Sequence, residues 1–374
     1  MVIDLKTSSC TGCGVCCDIC PRHAIEMEKN ERGFSYPKID ADKCISCGKC
    51  QRMCEELAEV NHMKKAFILR HSQALVYDAS QSGGAFTLFS DYILSNSGIV
   101  YGAQLNDSFT LSHVRATSEE ERNLMHGSIY IQCDAYKVFD KVAADLEQDF
   151  NVMFIGTPCQ VSGLKKYLKD KKVKIEKLFL VDLLCHGVAS TEVWKNLIAY
   201  YEEKYRHSLS EIGWCGSDEQ TRPYFTFRFG ENSITDSQFK KLYYSNLMMR
   251  TSCYQCPFTS LERSGDVSIG DATGIQNSDN NFYNPKGTSL VLINTNKGVT
   301  VWNSVKRNAI YREVNIKNYL QECLRESAKA KREPDEFWKD YVTSGINYTL
   351  KKYAEHRIIL NLKYIFHRLL KVGR

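Results

Sequence analysis

Residues 10–21 read CTGCGVCCDICP and residues 44–55 read CISCGKCQRMCE, and the cysteine spacing in these two stretches decides the N-terminal fold. Cys10, Cys13, Cys16 and Cys20 form C-x2-C-x2-C-x3-C with Pro21 next; Cys44, Cys47, Cys50 and Cys54 repeat it with Glu55 in place of the proline. Between them AIEMEKNERGFSYPKID holds two short polar and apolar alternations around Gly33, which predicts a hairpin joining two loops. The N-terminus MVIDLKTSSC has no basic region followed by an apolar stretch, so no signal peptide is expected. The sixteen cysteines are therefore expected as reduced thiols, serving metal or catalysis rather than disulfides.

The repeat resembles the bacterial two-cluster ferredoxin, in which three cysteines of each run hold one 4Fe-4S cluster and the fourth crosses to the other. Carried onto this chain, the resemblance assigns Cys10, Cys13, Cys16 and Cys54 to one cluster and Cys44, Cys47, Cys50 and Cys20 to the second. Zinc is the alternative, but zinc sites rarely use eight cysteines in duplicated triplets ending in Cys-Pro. Cys17 is read as a small buried residue. A unit of this size has little core, so its folding and its metal loading should be coupled. Its chemistry is single-electron transfer.

The 374 residues allow two or three domains. A hydrophobic content of 43% with 25% charged residues excludes collagen-like, disordered and polytopic membrane chains, and no apolar run approaches membrane-span length. A cytoplasmic protein is expected. From about residue 66 apolar strands alternate with amphipathic helices. ALVYDA, GIVYGAQL, NVMFIG and KLFLVDLL read as strands; AFTLFSDYIL, YKVFDKVAADLEQ, VSGLKKYLKD and TEVWKNLIAYYEEKY read as helices; EIGW, YFTFRF, DVSIG and TSLVLIN follow as strands. The expected fold is an α+β ferredoxin-like dicluster module (1–62) followed by an α/β domain with a mixed sheet (66–345).

Four further cysteines suggest a third cluster. Cys159 follows the strand NVMFIG in GTPCQ, Cys185 follows KLFLVDLL in CHG, and Cys253 with Cys256 forms a CxxC. Ligands of open α/β sheets gather at the carboxyl ends of strands, so Cys159 and Cys185 can converge there, and four thiolates complete a 4Fe-4S site. Structural zinc, or a Cys nucleophile with His186 as base, are the alternatives. Cys133, Cys215 and Cys323 show no spacing and read as core residues.

QSGGAFTLFSDYIL, GIVYGA, HGSIYIQ, FIGTPCQVSGLKKYL, VDLLCHGVAS, SCYQCPF with Arg263, SGDVSIGD and KGTSLVLINTNKG occur in the order found in the coenzyme F420 hydrogenase/dehydrogenase beta subunit family. The chain resembles bacterial members of that family with an N-terminal ferredoxin. The resemblance implies an iron–sulfur flavoprotein passing electrons between a ferredoxin-type or other redox partner and an organic two-electron acceptor; the acceptor differs widely within the family. FAD is the implied flavin. Ser82, Gly83 and Gly84 open a helix whose backbone N–H groups can receive a phosphate. Gly127, Ser128 and Tyr130, then Asp271 and Gly274, then Lys286, Gly287, Thr288 and Ser289 are carried over as flavin contacts. The chain departs from the family where RGSKY becomes His126-Gly127-Ser128-Ile129-Tyr130 and GDFWG becomes Gly270-Asp271-Ala272-Thr273-Gly274. Those changes concern the flavin and acceptor, not the cysteines. An electron-transfer subunit with no substrate of its own is the second reading, and a metal-stabilised interaction protein the third.

The net charge of +5 is concentrated in residues 351–374, where seven Lys or Arg face a single acid, Glu355; the rest of the chain is near neutral. No nucleic-acid partner is expected. Ile358, Ile359, Leu362, Ile365, Phe366, Leu369 and Leu370 recur at helical spacing beside a basic stripe. This basic amphipathic helix is expected to dock on the body or a partner, or to lie on a membrane surface.

Overall fold

Buried apolar runs pair edge to edge because successive strand residues point to opposite faces, so a strand covered on both sides can be apolar throughout. A computed structural model describes residues 9–55, 59–125, 127, 130–214 and 225–355. In chain order the strands are β1 (Ile25–Lys29), β2 (Ser35–Ile39), β3 (Asn61–His62), β4 (Lys65–His71), β5 (Ile99–Leu105), β6 (Leu111–Ala116), β7 (Val152–Gly156), β8 (Leu178–Leu183), β9 (Leu209–Trp214), β10 (Phe225–Phe229), β11 (Asn232–Asp236), β12 (Glu262–Arg263), β13 (Val267–Asp271), β14 (Ser289–Ile293) and β15 (Ala309–Glu313). β1 and β2 form the hairpin expected around Gly33.

One sheet has eight strands in the order β15-β4-β14-β13-β8-β7-β5-β6. β5, β7, β8 and β13 run parallel, while β6, β14, β4 and β15 add on by antiparallel pairs. This is the mixed sheet that the alternation predicts. Met153 and Ile155 of β7 and Phe179 and Val181 of β8 face Leu88 and Phe89 of the helix Ala85–Ser95 and Trp302 of the helix Asn296–Val305. Val152, Phe154, Leu178 and Leu180 face the other way, onto Val142 of the helix Phe139–Glu147 and Leu164 of the helix Pro158–Lys171. Each such side chain contributes about 2 kcal/mol by leaving water.

The second layer also contains Val15, Ile19 and Met53, so the cysteine-rich N-terminus is packed onto the sheet domain. Asp18 fixes the contact by accepting hydrogen bonds from the backbone N–H groups of Lys137 (2.7 Å) and Phe139 (3.2 Å). A third apolar cluster joins Trp194, Phe227 and Phe337, linking the helix Thr191–Tyr205, the β9–β11 sheet and the helix Pro334–Thr349.

One expectation changes. ALVYDA forms the helix Ala74–Ala79 and not a strand: none of its residues is buried, and Ser80 Oγ donates to the Val76 carbonyl at 2.7 Å. The strand in that part of the sheet is β4, whose core Ala66-Phe67-Ile68-Leu69 is buried on both faces and so shows no alternation. The tail can be followed only to Glu355, where Lys352 bonds Glu336 (2.8 Å) and Asp340 (2.6 Å). The rest of the expected amphipathic helix, 356–374, lies outside the described residues. Among the described residues no helix is long and apolar enough to cross a membrane.

His113 on β6 links pH to stability. Its Nε2–H donates to the Ile155 carbonyl (2.9 Å), its Nδ1 faces Cys133 Sγ (3.2 Å), and burial pushes its pKa down to about 4. Between the unfolded value near 6.5 and about 4, only the unfolded chain binds a proton there. Stability is therefore expected to be complete above about pH 6.5 and to fall by up to about 3 kcal/mol as the pH drops to 4. Urea unfolding at pH 7 and pH 5 reads the slope, and His113→Gln should flatten it; an equal slope in the variant contradicts the assignment.

Candidate iron–sulfur and flavin site

The first cysteine run wraps a loop before the single turn Val15–Asp18, and the second enters the helix Lys49–Glu55. The structure brings Cys54 to the first triplet. Burial pushes its thiol up to about 12, and the charges of Cys16, Cys13 and Cys10 add to the rise. Cys20 joins the other triplet: Cys20, Cys44, Cys47 and Cys50 line one cavity with Pro21 and Ile45. Each set has one exposed thiol, Cys54 in the first and Cys47 in the second, and one buried thiol, Cys16 and Cys50. Cys17 is buried as expected, and its contact with Cys16 is the largest cause of the rise in the Cys16 thiol.

Cys159, Cys185, Cys253 and Cys256 also come together. β7 and β8 are parallel neighbours, so the segments leaving them start side by side. Cys159 falls in the first turn of the helix Pro158–Lys171, which Thr157 caps with Gln160. Cys185 lies just beyond β8, and Cys253 sits in the turn Thr251–Gln255. Burial pushes Cys159 up to about 12 and Cys253 up to about 11. Cys185 rises well above the ordinary thiol value, by burial and then by Cys253, Cys159 and Cys256. Cys159 also feels Cys13, and a Cβ on Gly163 would lie 3.4 Å from Cys13 Sγ, so the first and third thiol groups are neighbours. His186 Nε2 meets Gln321 Oε1 at 3.1 Å and Cys323 Sγ at 3.6 Å, which gives no support to a Cys185–His186 nucleophile and base. Cys133 and Cys323 are buried, and Cys215 lies outside the described residues.

Among the described residues no His, Cys, Asp or Glu set stands at metal-coordination spacing, so these are neighbourhoods of thiols rather than finished coordination shells. Their chemistry nevertheless fits iron–sulfur clusters. All the donors are soft sulfur, and buried thiols whose charges would repel one another suit a cationic centre that takes them as thiolates.

The flavin candidates divide. Ser82, Gly83, Gly84, Asp271, Lys286, Gly287, Thr288 and Ser289 gather where β4, β13 and β14 share an edge. Asp271 pairs with Ser289 across β13 and β14, and a Cβ on Gly83 would fall 2.2 Å from the Leu69 carbonyl oxygen and 2.4 Å from the Ser289 nitrogen. Only glycine lets the backbones approach this closely. Gly84 is the N-cap of the helix Ala85–Ser95 and no side chain caps it. Ser82 Oγ, Thr288 Oγ1 and Arg70 Nε are buried with no hydrogen-bond partner among the described residues. Three orphaned polar atoms beside an uncapped helix N-terminus fit a phosphate-bearing cofactor. Arg70 was not a sequence candidate; its signal is a lone cation closing the apolar run AFILR.

The Lys286 ammonium forms an ion pair with Asp78, both side chains being about half exposed. Gly274 precedes a short turn, with nothing within 4 Å of where a Cβ would stand. Tyr130 packs in another setting, with its ring 4.5 Å from Tyr243, whose hydroxyl donates to the Gly187 carbonyl beside the third thiol group. Gly127 adopts φ 111, and Ser128 lies outside the described residues.

The fold and these thiol groups define an iron–sulfur electron-transfer protein. Residues 9–58 match the 4Fe-4S dicluster domain family, and residues 149–318 match the family of C-terminal regions of the coenzyme F420 hydrogenase/dehydrogenase beta subunit. The chain is 22% identical over 364 residues to a coenzyme F420-dependent sulfite reductase of Methanocaldococcus jannaschii, covering 90% of this chain. It spans 52% of that relative's length. A solved chain of the F420-reducing NiFe hydrogenase complex from Methanosarcina barkeri is also similar, with 18% identity and a TM-score of 0.49 over 78% of this chain and 92% of that one.

Proposed function

We propose that the chain is an iron–sulfur flavin oxidoreductase, taking electrons from a ferredoxin-type carrier through three 4Fe-4S clusters to FAD and an organic two-electron acceptor. The clusters supply single-electron transfer and the flavin supplies the junction to two-electron chemistry. One observation carries the reading: the thiol groups and the hydroxyl cradle follow one another. Cys50 of the second set packs with Cys16 of the first, Cys13 neighbours Cys159, and Cys185 leaves β8 two strands, about 10 Å, from the β14 edge of the cradle. The relative's name adds coenzyme F420 as a candidate two-electron partner.

In this reading residues 1–62 form the dicluster module and 66–345 the flavin and iron–sulfur unit. The twelve named cysteines hold iron, and Ser82, Thr288 and Arg70 meet the flavin phosphates. The basic tail from residue 351 docks on a partner or a membrane surface. Anaerobically purified protein is expected to carry about twelve iron atoms and one flavin. Eight irons without flavin would point instead to an electron-transfer subunit feeding a partner enzyme, a reading favoured by the altered His126–Tyr130 and Gly270–Gly274 segments.

The orphaned hydroxyls give a signed test. Ser82→Ala and Thr288→Val remove buried polar groups that lack partners, so the flavin-free fold should gain stability or stay unchanged. Flavin should bind about tenfold more weakly in each, for a lost bond worth about 1.4 kcal/mol. Unchanged flavin affinity in both variants would move the flavin elsewhere.

A further inference from the structure

Arg250 is fully buried, yet among the described residues no carboxylate forms an ion pair with it. Its Nε donates to the Cys10 carbonyl at 2.7 Å, its Nη1 to Gln132 Oε1 at 2.9 Å, and its Nη2 to Cys10 Sγ at 3.3 Å. The ring of Tyr36 lies 4.1 Å and that of Phe34 5.8 Å from the guanidinium carbon. Asp134 feels the charge through space, but its carboxylate accepts from Ser35 Oγ. A buried cation surrounded by neutral acceptors is costly unless a negative group compensates it.

The placement is built rather than incidental. A Cβ on Gly12 would fall 2.1 Å from Gln132 Nε2 and 3.0 Å from Arg250 Nη1, so the cysteine loop has been fitted closely around the guanidinium. The Arg250 carbonyl accepts from the Cys253 N–H at 2.9 Å, and the Arg250 N–H donates to the Val188 carbonyl at 3.1 Å. One residue therefore braces a ligand candidate of the third thiol group with its backbone and meets one of the first group with its charge.

We propose that Arg250 is a buried counter-charge of the Cys10, Cys13, Cys16 and Cys54 thiolate set and holds that cluster's reduction potential above that of the second cluster. The inference rests on the iron–sulfur reading above. A fixed positive charge and an N–H···S bond stabilise whichever state carries more negative charge, which is the one-electron-reduced state; no proton or bond change accompanies the step. The Cys44–Cys47 rim has no buried equivalent among the described residues. Lys43 pairs with Asp40, Lys49 pairs with Asp170, and the exposed Arg52 reaches the Cys47 carbonyl only at 3.5 Å. Arg250 is thus a positioning residue that makes electron movement from the second cluster to the first favourable.

The test is a potentiometric EPR titration of the full chain with dithionite, with the first cluster's signal identified by its loss in Cys10→Ser. Arg250→Gln should keep the wild-type iron content and weaken one-electron reduction of the first cluster at least tenfold, a downward shift of about 59 mV. The second cluster should not move. Arg250→Lys, which keeps the charge and loses the planar fork, should recover most of the shift. Full iron with both potentials unmoved in Arg250→Gln overturns the proposal and leaves the cluster reading standing, whereas a wild-type chain without iron overturns that reading instead. If Arg250→Gln loses iron, Arg250→Lys decides: retained iron with the first potential close to wild type shows that the charge is what this cluster needs and supports the proposal, and retained iron with that potential lowered by about 59 mV or more overturns it.

Discussion

Cys185→Ala is expected to lose about four of about twelve iron atoms and to abolish reduction of the two-electron acceptor, while the dicluster signals remain. The separation follows from where the ligand candidates lie. Cys10 to Cys54 belong to one local module built on the β1–β2 hairpin and two short helices, whereas Cys185 leaves the central strand β8 and meets Cys159 and Cys253 only through the sheet. Removing one thiol from a buried group that needs four leaves three that do not saturate the metal, and the remaining buried thiols then revert to their neutral form. Reduction of a single-electron dye by the N-terminal module should persist. Cys323→Ala is the control: it is buried but meets His186, and it should keep all the iron. Full iron in Cys185→Ala would refute the third ligand set.

What was legible depended on how local the information was. Eight cysteines spaced by two and three residues report their own neighbourhood, so the dicluster module could be read directly. Cys159 and Cys185 were legible for a different reason: each follows an apolar strand at a Pro or Gly turn, and strand ends collect ligands. Arg250 and His113 could not be read this way, because their roles come from partners more than a hundred residues distant or brought in by another strand. Segment 74–79 misled because the apolar run Ala74-Leu75-Val76-Tyr77 resembles a buried strand although none of its residues is buried and Leu75 is 86% exposed, and the buried strand β4 beside it showed no alternation. Lys286 and Tyr130 were placed by analogy with a flavin pocket, and only three-dimensional packing reveals Asp78 on the one and Tyr243 on the other.

Arg263→Ala is expected to cost about 3–5 kcal/mol and lower the melting temperature by roughly 10 °C. Arg263 and Asp182 are almost fully buried and meet at 2.6 Å through Nη2 and 3.1 Å through Nε, both on the same carboxylate oxygen. The other oxygen accepts from the Gly265 N–H at 2.7 Å, and Ser268 Oγ accepts from Arg263 Nε at 3.1 Å. The same guanidinium donates to the carbonyls of Phe258, Ser260 and Leu183 at 3.2, 3.3 and 2.9 Å. It therefore ties the arm that follows Cys256 to the end of β8, two residues before Cys185. Alanine strands a buried carboxylate and three carbonyls, and it frees the arm on which Cys256 stands, so stability and third-cluster iron should fall together. Arg263→Lys keeps one charge but cannot reach a carboxylate and three carbonyls at once, so it should recover less than half of the loss. The coupling can be isolated with Asp182→Asn: its cost and that of Arg263→Ala should sum to more than the cost of the double variant by about 0.5–3 kcal/mol. Additive losses, or full third-cluster iron in Arg263→Ala, would show that the CxxC arm is held by other contacts.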